Sequence, residues 1–261
     1  MIKLIVTDMD GTLLNTNKEL PADFNHVYAQ LKAKGIRLVV ASGRQYYVLH
    51  EEFKELDHDI IFVAENGGFI KDGEAIRMLN PFTRQQVEDM VTTARAVDGA
   101  FPVLCGKNGA YVESNHKVSF EMVEKFFVRY HFVDDLLAVQ DDLLKIAVCD
   151  LTSAEHNCFP HFKPFVDQLQ ICVSDDMWMD IMPLGVNKGE AIKLVQQQLG
   201  ISPDETMVFG DYLNDLEMMQ TSHYSYAMAN AHPDLKKVAR FEADSNDNNG
   251  VLNKIRETVL V

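Results

Sequence analysis

Three times in the first 64 residues a short β-branched and apolar run ends abruptly and a different pattern takes over. Ile2–Thr7, Ile36–Ala41 and Ile60–Ala64 lack sustained polar alternation, so they read as strands buried on both faces of a parallel sheet. Between the first two, Pro21–Lys34 is predicted to be a helix. Pro21 suits a first turn, Phe24, Val27, Tyr28 and Leu31 keep helical spacing, and Gly35 closes it. A second helix is expected after Ser42-Gly43-Arg44, reaching about Leu56. Strand–helix–strand–helix–strand specifies an α/β fold, a doubly wound and mostly parallel (Rossmann-like) sheet.

The rhythm then changes. Asp72-Gly73 marks a hairpin turn between two short strands. From about residue 83 the order reads helix (83–97), strands (101–105 and 109–113), helix (118–130), strand (143–151), helix (155–168) and strands (169–174 and 177–182). Paired strands with interspersed helices imply an α+β layer on an antiparallel sheet. After Asn187 the first rhythm returns: helix to Leu199, strand 206–209, helix 213–219, strand 223–227, helix 233–239, a short strand and a last helix. The polar stretch Asp244–Gly250 is expected to be a loop that caps that helix. The economical division is a core of residues 1–82 and 185–261 interrupted by an inserted domain at 83–184.

A hydrophobic share of 47% in 261 residues suffices for a core without staples, and a formal charge of −15 bounds the partners. Such a chain repels a phosphate backbone at long range, which argues against nonspecific nucleic-acid binding. Small anions would need a local positive site or a bound cation. Cys105, Cys149, Cys158 and Cys172 form no C-x-x-C pair and read as thiols of a reducing compartment. No apolar run approaches the ~18 residues of a membrane span. The N-terminal run stops at Asp8, too early for a signal peptide. The cytoplasm, no membrane partner and, with no heptad or interface stripe in view, a monomer are the expectations.

The chemistry-bearing residues gather where strands end. In Asp8-Met9-Asp10-Gly11-Thr12 the strand period of two sends both carboxylates to the same side. Ligands of open parallel sheets bind beyond the carboxyl ends of strands, where this pair sits. Two close carboxylates repel unless one is protonated or a cation lies between them, and oxygen-only ligands suit Mg²⁺. Alone, the motif reads equally as two solvated acids before a turn. Gly210-Asp211-Tyr212-Leu213-Asn214-Asp215 follows another buried strand. Its acids could simply favour a helix start, but a second acidic cluster on the same sheet edge again calls for a cation. Lys188, in a first helical turn, opposes the macrodipole, so its placement suggests an anion to meet. Ser42-Gly43-Arg44 offers a hydroxyl and free amides at a strand-to-helix junction, an anion site or ordinary turn chemistry. His156 and His161 flank Cys158 without zinc-ligand spacing. Met177-Trp178-Met179 reads as packing in the insert's sheet.

In this order the four segments resemble the haloacid dehalogenase superfamily over nearly the whole chain. Asp8-Met9-Asp10-Gly11-Thr12 looks like its first motif, Ser42 its second, Lys188 its third, and Gly210-Asp211 with Asn214-Asp215 its fourth. The insert is similar to the cap of the Cof-type phosphatases. Val39–Gly43, Ala64-Glu65-Asn66-Gly67 and Ala227–Ala231 look most like bacterial sugar phosphatases, with Ala229 where many relatives carry glycine. The resemblance implies Mg²⁺-dependent hydrolysis of a small phosphorylated metabolite, most of all a sugar phosphate, with nucleotide-like or flavin phosphates as side substrates. Asp8 would be the nucleophile and form an aspartyl-phosphate. Asp10 would be the acid and base, its carboxyl neutral in the first half-reaction. The metal would be held by Asp8, the Asp10 carbonyl, Asp211 and Asp215. Ser42, Lys188 and Asn214 would hold the phosphoryl oxygens, with Gly43 and Arg44 as further contacts. Asp180 is a cap contact suggested by position.

Two other readings fit parts of this pattern. A phosphomutase on the same scaffold would return the phosphoryl group to a sugar. A receiver-like switch would hold it on aspartate without turnover, but an inserted domain has no purpose there.

Overall fold

A computed structural model of the chain describes residues 1–56, 59–78, 80–114 and 123–260; the side chains of Met78 and Asp175 are likewise left undescribed. Five strands open the fold: β1 (Leu4–Thr7), β2 (Arg37–Ala41), β3 (Ile61–Ala64), β4 (Phe69–Asp72) and β5 (Ala75–Met78). Six follow in a different sheet: β6 (Ala100–Gly106), β7 (Gly109–Glu113), β8 (Tyr130–Val133), β9 (Leu143–Asp150), β10 (Leu169–Asp175) and β11 (Trp178–Pro183). The chain then returns with β12 (Thr206–Gly210), β13 (Tyr224–Met228) and β14 (Phe241–Ala243).

The first sheet runs β14-β13-β12-β1-β2-β3-β4-β5. Its pairs are parallel from β14 to β3, and the β4–β5 hairpin closes one side antiparallel. From β1 the chain winds one way through β2 and β3, and on its return it winds the other way from β12. Strand order therefore reverses between β1 and β12, and connections leave their carboxyl ends in opposite directions, opening a crevice there. The helix Phe24–Ala33 buries Phe24, Val27, Tyr28 and Leu31, the face that the spacing predicted. The helix Lys188–Leu199 ends on Gly200, whose φ of 63° is left-handed and costs glycine little.

The second sheet runs β10-β11-β9-β6-β7-β8, antiparallel except for β7 with β8. One face packs Leu104, Ile146, Val148, Met179 and Ile181 with the helix Arg84–Arg95 and the segment 154–165. The opposite face carries Val103, Cys105, Ala147, Cys149 and Trp178, with Val123 and Phe127 over it. Among the described residues no helix is long and apolar enough to cross a membrane.

Several elements differ from the sequence reading. The second helix covers only Tyr46–Glu52. The helix expected over 118–130 lies partly outside the described residues; 123–126 are helical, and Tyr130 already begins β8. The helix expected over 155–168 is a π turn (Ala154–Cys158), one α turn (Phe159–Phe162) and a 3₁₀ turn (Lys163–Phe165). Pro160 and Pro164 withhold two amide donors there, which prevents one continuous ladder. The segment expected to helix over 213–219 opens with a 3₁₀ turn. The loop before the last helix reaches back to the β1 turn: the Asn246 side chain donates to the Leu14 carbonyl and Thr16 donates to Asp247.

Candidate active site

The β1–β12 crevice fixes the carboxylates. Thr7 pairs with Phe209, and the Asp8 amide donates to the Phe209 carbonyl at 3.0 Å, so Asp8 leaves β1 beside Gly210. A Cβ on Gly210 would lie 2.6 Å from Asp215 Oδ2, and the missing side chain lets Asp215 fold back beneath the strand end. There Asp215 Oδ2 accepts the Asp211 and Tyr212 amides at 2.9 and 3.3 Å. The helix-start role of this acid is therefore real, but it engages only one oxygen. Asp215 Oδ1 accepts Lys188 Nζ at 2.7 Å, and the same ammonium donates to Asp8 Oδ1 at 2.6 Å. Thr12 Oγ1 donates to Asp211 Oδ1 at 2.8 Å. Gly11, at φ +75°, leaves Asp211 the space a side chain would occupy.

Asp8, Asp211 and Asp215 each offer an oxygen within 4.8 Å of the others, a donor set that fits a hard divalent cation. The electrostatics point the same way. Burial, then the Asp215 and Asp211 charges, push the Asp8 carboxyl well above the usual carboxylate range against the pull of Lys188. Burial and Asp215 push Asp211 up to about 7. Lys188 has no exposed surface; its ammonium is held by Asp215 and Asp8 against the cost of burial, and its pKa is raised. Three carboxylates around one ammonium are short of positive charge, which a bound divalent ion would supply.

Asp10 lines the same cavity as Asp8, but a strand period does not put it there. β1 ends at Thr7, so residue 10 belongs to the turn and the alternation no longer applies. Its carboxylate stands outside the three-acid group. It accepts Arg44 Nε and Nη2, both at 2.6 Å, and Lys18 Nζ at 2.8 Å. Burial raises its pKa, but the Arg44 and Lys18 bonds and charges outweigh it and hold the carboxyl below its ordinary value. The neutral Asp10 expected from the sequence is therefore not the form this arrangement favours.

Ser42 is buried beyond β2; its Oγ accepts the Arg44 amide at 3.1 Å. The Asn214 side chain donates to Asn66 Oδ1 at 3.0 Å, and Asn66 donates to Asp180 Oδ2 at 2.7 Å. Asn66 sits at a left-handed φ of 52° just after β3. Lys145, on β9, pairs with Glu65 at 3.0 Å and Asp180 at 3.4 Å and donates to the Gly43 carbonyl. All three ionic partners are almost fully buried. Burial raises the Glu65 carboxyl despite Lys145, whose own pKa is pushed up by Asp180 and Glu65 against desolvation. The two sheets thus meet through a polar chain beside the crevice.

A cavity of about 370 Å³ opens between them, lined by Asp8, Asp10, Ser42, Gly43, Arg44, Asp211 and Asn214 from the first-sheet side. Lys145, Ala147, Trp178 and Asp180 line it from the second. Asp8, Asp10, Ser42, Gly43, Arg44, Asp211 and Asn214, all proposed for the site, reach this cavity, and Lys188 and Asp215 join it through the Lys188 bond to Asp8. The sequence reading does not single out Lys18 or Lys145, and it includes Asn66 only within a segment of resemblance, with no role. For Lys145 a signal existed: a lone cation within Leu143-Leu144-Lys145-Ile146-Ala147-Val148, an otherwise apolar strand. Trp178, read as packing, also faces the cavity. Asn230 supports the site from below, donating to the Gly11 carbonyl at 2.8 Å.

Comparison with known proteins places this arrangement. A family model described as haloacid dehalogenase-like hydrolase matches residues 5–255. The 5-amino-6-(5-phospho-D-ribitylamino)uracil phosphatase YbjI of Escherichia coli K12 is 34% identical, over 97% of this chain and 95% of its own. The crystal structure of SMU.1108c from Streptococcus mutans UA159 superposes with a TM-score of 0.92 at 29% identity over the full length of both chains. A sugar phosphatase of subclass IIB, BT4131, has a TM-score of 0.84 over 99% of this chain and 100% of its own. At 19% identity that likeness speaks for the fold alone.

Proposed function

The chain belongs to the haloacid dehalogenase-like hydrolases, and we propose that it is a Mg²⁺-dependent phosphatase of small phosphomonoesters, sugar phosphates foremost. The observation that carries this reading is the Asp8 carboxylate. It stands at the floor of the cavity, one oxygen fixed by a buried ammonium, in reach of two further carboxylates. The name of the E. coli relative adds weight, because its ester joins phosphate to a hydroxylated chain.

In this mechanism Asp8 attacks phosphorus, the new O–P bond forms as the ester P–O bond breaks, and an aspartyl-phosphate results. Asp10 gives its proton to the departing alkoxide. It then takes a proton from the water that attacks the aspartyl-phosphate, which releases inorganic phosphate and restores Asp8. For the first transfer Asp10 must give up its Arg44 and Lys18 bonds, take a proton from solvent and turn to the ester oxygen, and Arg44 is then free to meet the phosphoryl group. The Ser42 hydroxyl, the Gly43 amide, Lys188 and Asn214 hold phosphoryl oxygens, and such placed charge and dipoles are the main source of rate in phosphoryl transfer. Asp8, Asp211, Asp215 and the Asp10 carbonyl would hold Mg²⁺, which supplies positive charge between nucleophile and substrate.

The segment 83–184 acts as a cap over a core of 1–82 and 185–261, consistent with the separate apolar clusters of the two sheets. We place the enzyme in the cytoplasm, where its four free cysteines stay reduced. Phosphate release from a panel of phosphorylated metabolites tests the assignment, with Mg²⁺ present, then chelated, and with Asp8→Asn. Release is expected with Mg²⁺ alone and without a bisphosphate activator, the requirement that would mark a mutase. Chelation and Asp8→Asn should each abolish it, and turnover surviving in Asp8→Asn would remove Asp8 from its role.

A further inference from the structure

We propose that Gln45 and Lys145 are positioning residues through which the cap holds the phosphate-binding turn Ser42-Gly43-Arg44. Affinity for the phosphoryl group itself then depends on cap contacts that do not touch it. This deepens the phosphatase reading and rests on it.

Three separate parts of the inserted segment converge on this short turn. From β9, Lys145 donates to the Gly43 carbonyl. From β11, Asp180 packs so close over Gly43 that a Cβ there would lie 3.4 Å from its Oδ2, and 3.1 Å from Asn66 Oδ1. Just before β8, the Arg129 main chain pairs with the Gln45 side chain. Gln45 Nε2 donates to the Arg129 carbonyl at 2.8 Å, and the Arg129 amide donates to Gln45 Oε1 at 3.2 Å. A side-chain amide joined in both directions imitates one rung of an antiparallel ladder. Gln45 precedes the helix Tyr46–Glu52 without capping it through its side chain, and it is buried. Its polar head is committed to the other sheet instead. Arg129 adds to the grip: its guanidinium lies 4.8 Å from the Tyr47 ring and donates to the Tyr47 hydroxyl at 2.9 Å.

Lys145 lines the cavity, yet it has no N–H to spare for a leaving group. Its ammonium carries three, and it faces three oxygens: the Gly43 carbonyl, Glu65 at 3.0 Å and Asp180 at 3.4 Å. What it acts on is a peptide group. The Gly43 carbonyl shares its peptide plane with the Arg44 amide, which donates to Ser42 Oγ at 3.1 Å. A cation on that carbonyl polarises the amide and strengthens its bond to Ser42. With one Oγ lone pair so occupied, the Ser42 hydroxyl keeps its proton for an acceptor in the cavity that it lines. The flanks of the turn are tied within the first-sheet side: the Ser42 amide donates to the Val63 carbonyl at 2.8 Å, and the Glu65 amide to the Arg44 carbonyl at 3.1 Å. Gly43, the residue of the turn with the widest conformational choice, is held by Lys145.

Inorganic phosphate has no leaving group, so its competition against p-nitrophenyl phosphate, in the full chain with Mg²⁺, isolates the turn. Gln45→Leu deletes both Arg129 bonds without changing charge, and Lys145→Met deletes the ammonium. The inhibition constant of phosphate should rise at least about threefold in the first and about tenfold in the second, the size of a neutral and a charged hydrogen bond. In each variant kcat/KM should fall in parallel for p-nitrophenyl phosphate and ribose 5-phosphate. The Mg²⁺ concentration for half-maximal rate should keep its native value, because the carboxylates stand at the ends of β1 and β12; a general loosening of the fold would move it too. An unchanged phosphate constant in either folded variant, losses that differ between the two esters, or a matching shift in the Mg²⁺ requirement overturns the proposal. Should Lys145→Met not fold, with Glu65 and Asp180 left buried and unpaired, Gln45→Leu decides alone. If the native chain releases phosphate from neither ester, the phosphatase reading fails. Calorimetry of inorganic phosphate with Mg²⁺ on the native chain and Gln45→Leu then decides the turn: weaker binding in the variant upholds it, and equal affinity or no binding to either refutes it.

Discussion

Lys188 carries a full charge to a position with no exposed surface, between two carboxylates that burial alone would push toward protonation. Removing one partner of a buried ionic group is costly because the remaining charges lose their compensation. Lys188→Met keeps the length of the side chain and deletes the ammonium. It should lower kcat roughly 10²–10³-fold, the usual loss of one charge-stabilising donor. Its melting temperature should also fall, and fall further in chelator than in saturating Mg²⁺, because a divalent ion can replace part of the missing charge. Thermal melts of variant and parent in both buffers check this; equal losses would mean that Lys188 serves packing alone. At this scale the sequence was most informative about residue types and least about direction. Asp8 lies beside Asp211 and accepts the Lys188 ammonium, as residues at neighbouring strand ends can. Asp10 is not placed as a second strand carboxylate, because β1 ends at Thr7, three residues before it, and no sequence pattern shows which cation a turn side chain will meet.

The element that sets the site's geometry is the β1–β12 pair, and its entry end is fastened by Glu205. The Glu205 carbonyl accepts the Lys3 amide at 2.8 Å, its carboxylate meets Lys3 Nζ at 2.6 Å, and it also accepts the Ser202 amide at 3.1 Å. The Lys3 bond, then the Ser202 amide, draw this carboxyl from 4.5 down to about 2. A carboxyl depressed in the folded state adds stability that is complete above its unfolded pKa and is lost as pH falls through the folded one. Glu205→Gln should therefore melt below the parent by a margin that is constant above about pH 5 and shrinks toward zero as pH falls toward about 2. Paired melts down to the lowest pH at which both chains stay folded measure it, and a margin independent of pH would assign the effect to the cap's shape instead of its charge. The strands of this sheet were legible because β-branched runs bounded by acids and glycine have few alternatives. β8 was not: Tyr130–Val133 follows directly on helix-like residues, and its strand state comes from pairing with β7, a tertiary partner. The broken helix at 154–165 was legible in principle, since Pro160 and Pro164 stand in the sequence, but helical spacing of its apolar residues outweighed them in the reading.

For the molecule as a whole the governing number is −15, because a doubly charged phosphate ester must approach a strongly acidic body. A chain of 261 residues has a radius of gyration of roughly 18 Å. At about 0.01 M salt the screening length is roughly 30 Å, so the cleft feels the whole charge; near 0.15 M it is roughly 8 Å, and only the lining counts. Among the groups nearest the cavity Lys18, Arg44, Lys145 and Lys188 offset part of the acid from Asp8, Asp10, Asp176, Asp180, Asp211 and Asp215, and a bound divalent ion would shift that balance further. The local field is thus far less hostile than the global one. With the metal held at saturation, kcat/KM should rise roughly twofold to threefold as ionic strength goes from about 0.01 to 0.15 M, because screening removes distant repulsion before it weakens contacts. A series in potassium chloride, with initial rates at low substrate, measures the slope. A fall over that range would show that the cleft's cations steer the substrate from a distance and that the acidic exterior does not oppose it.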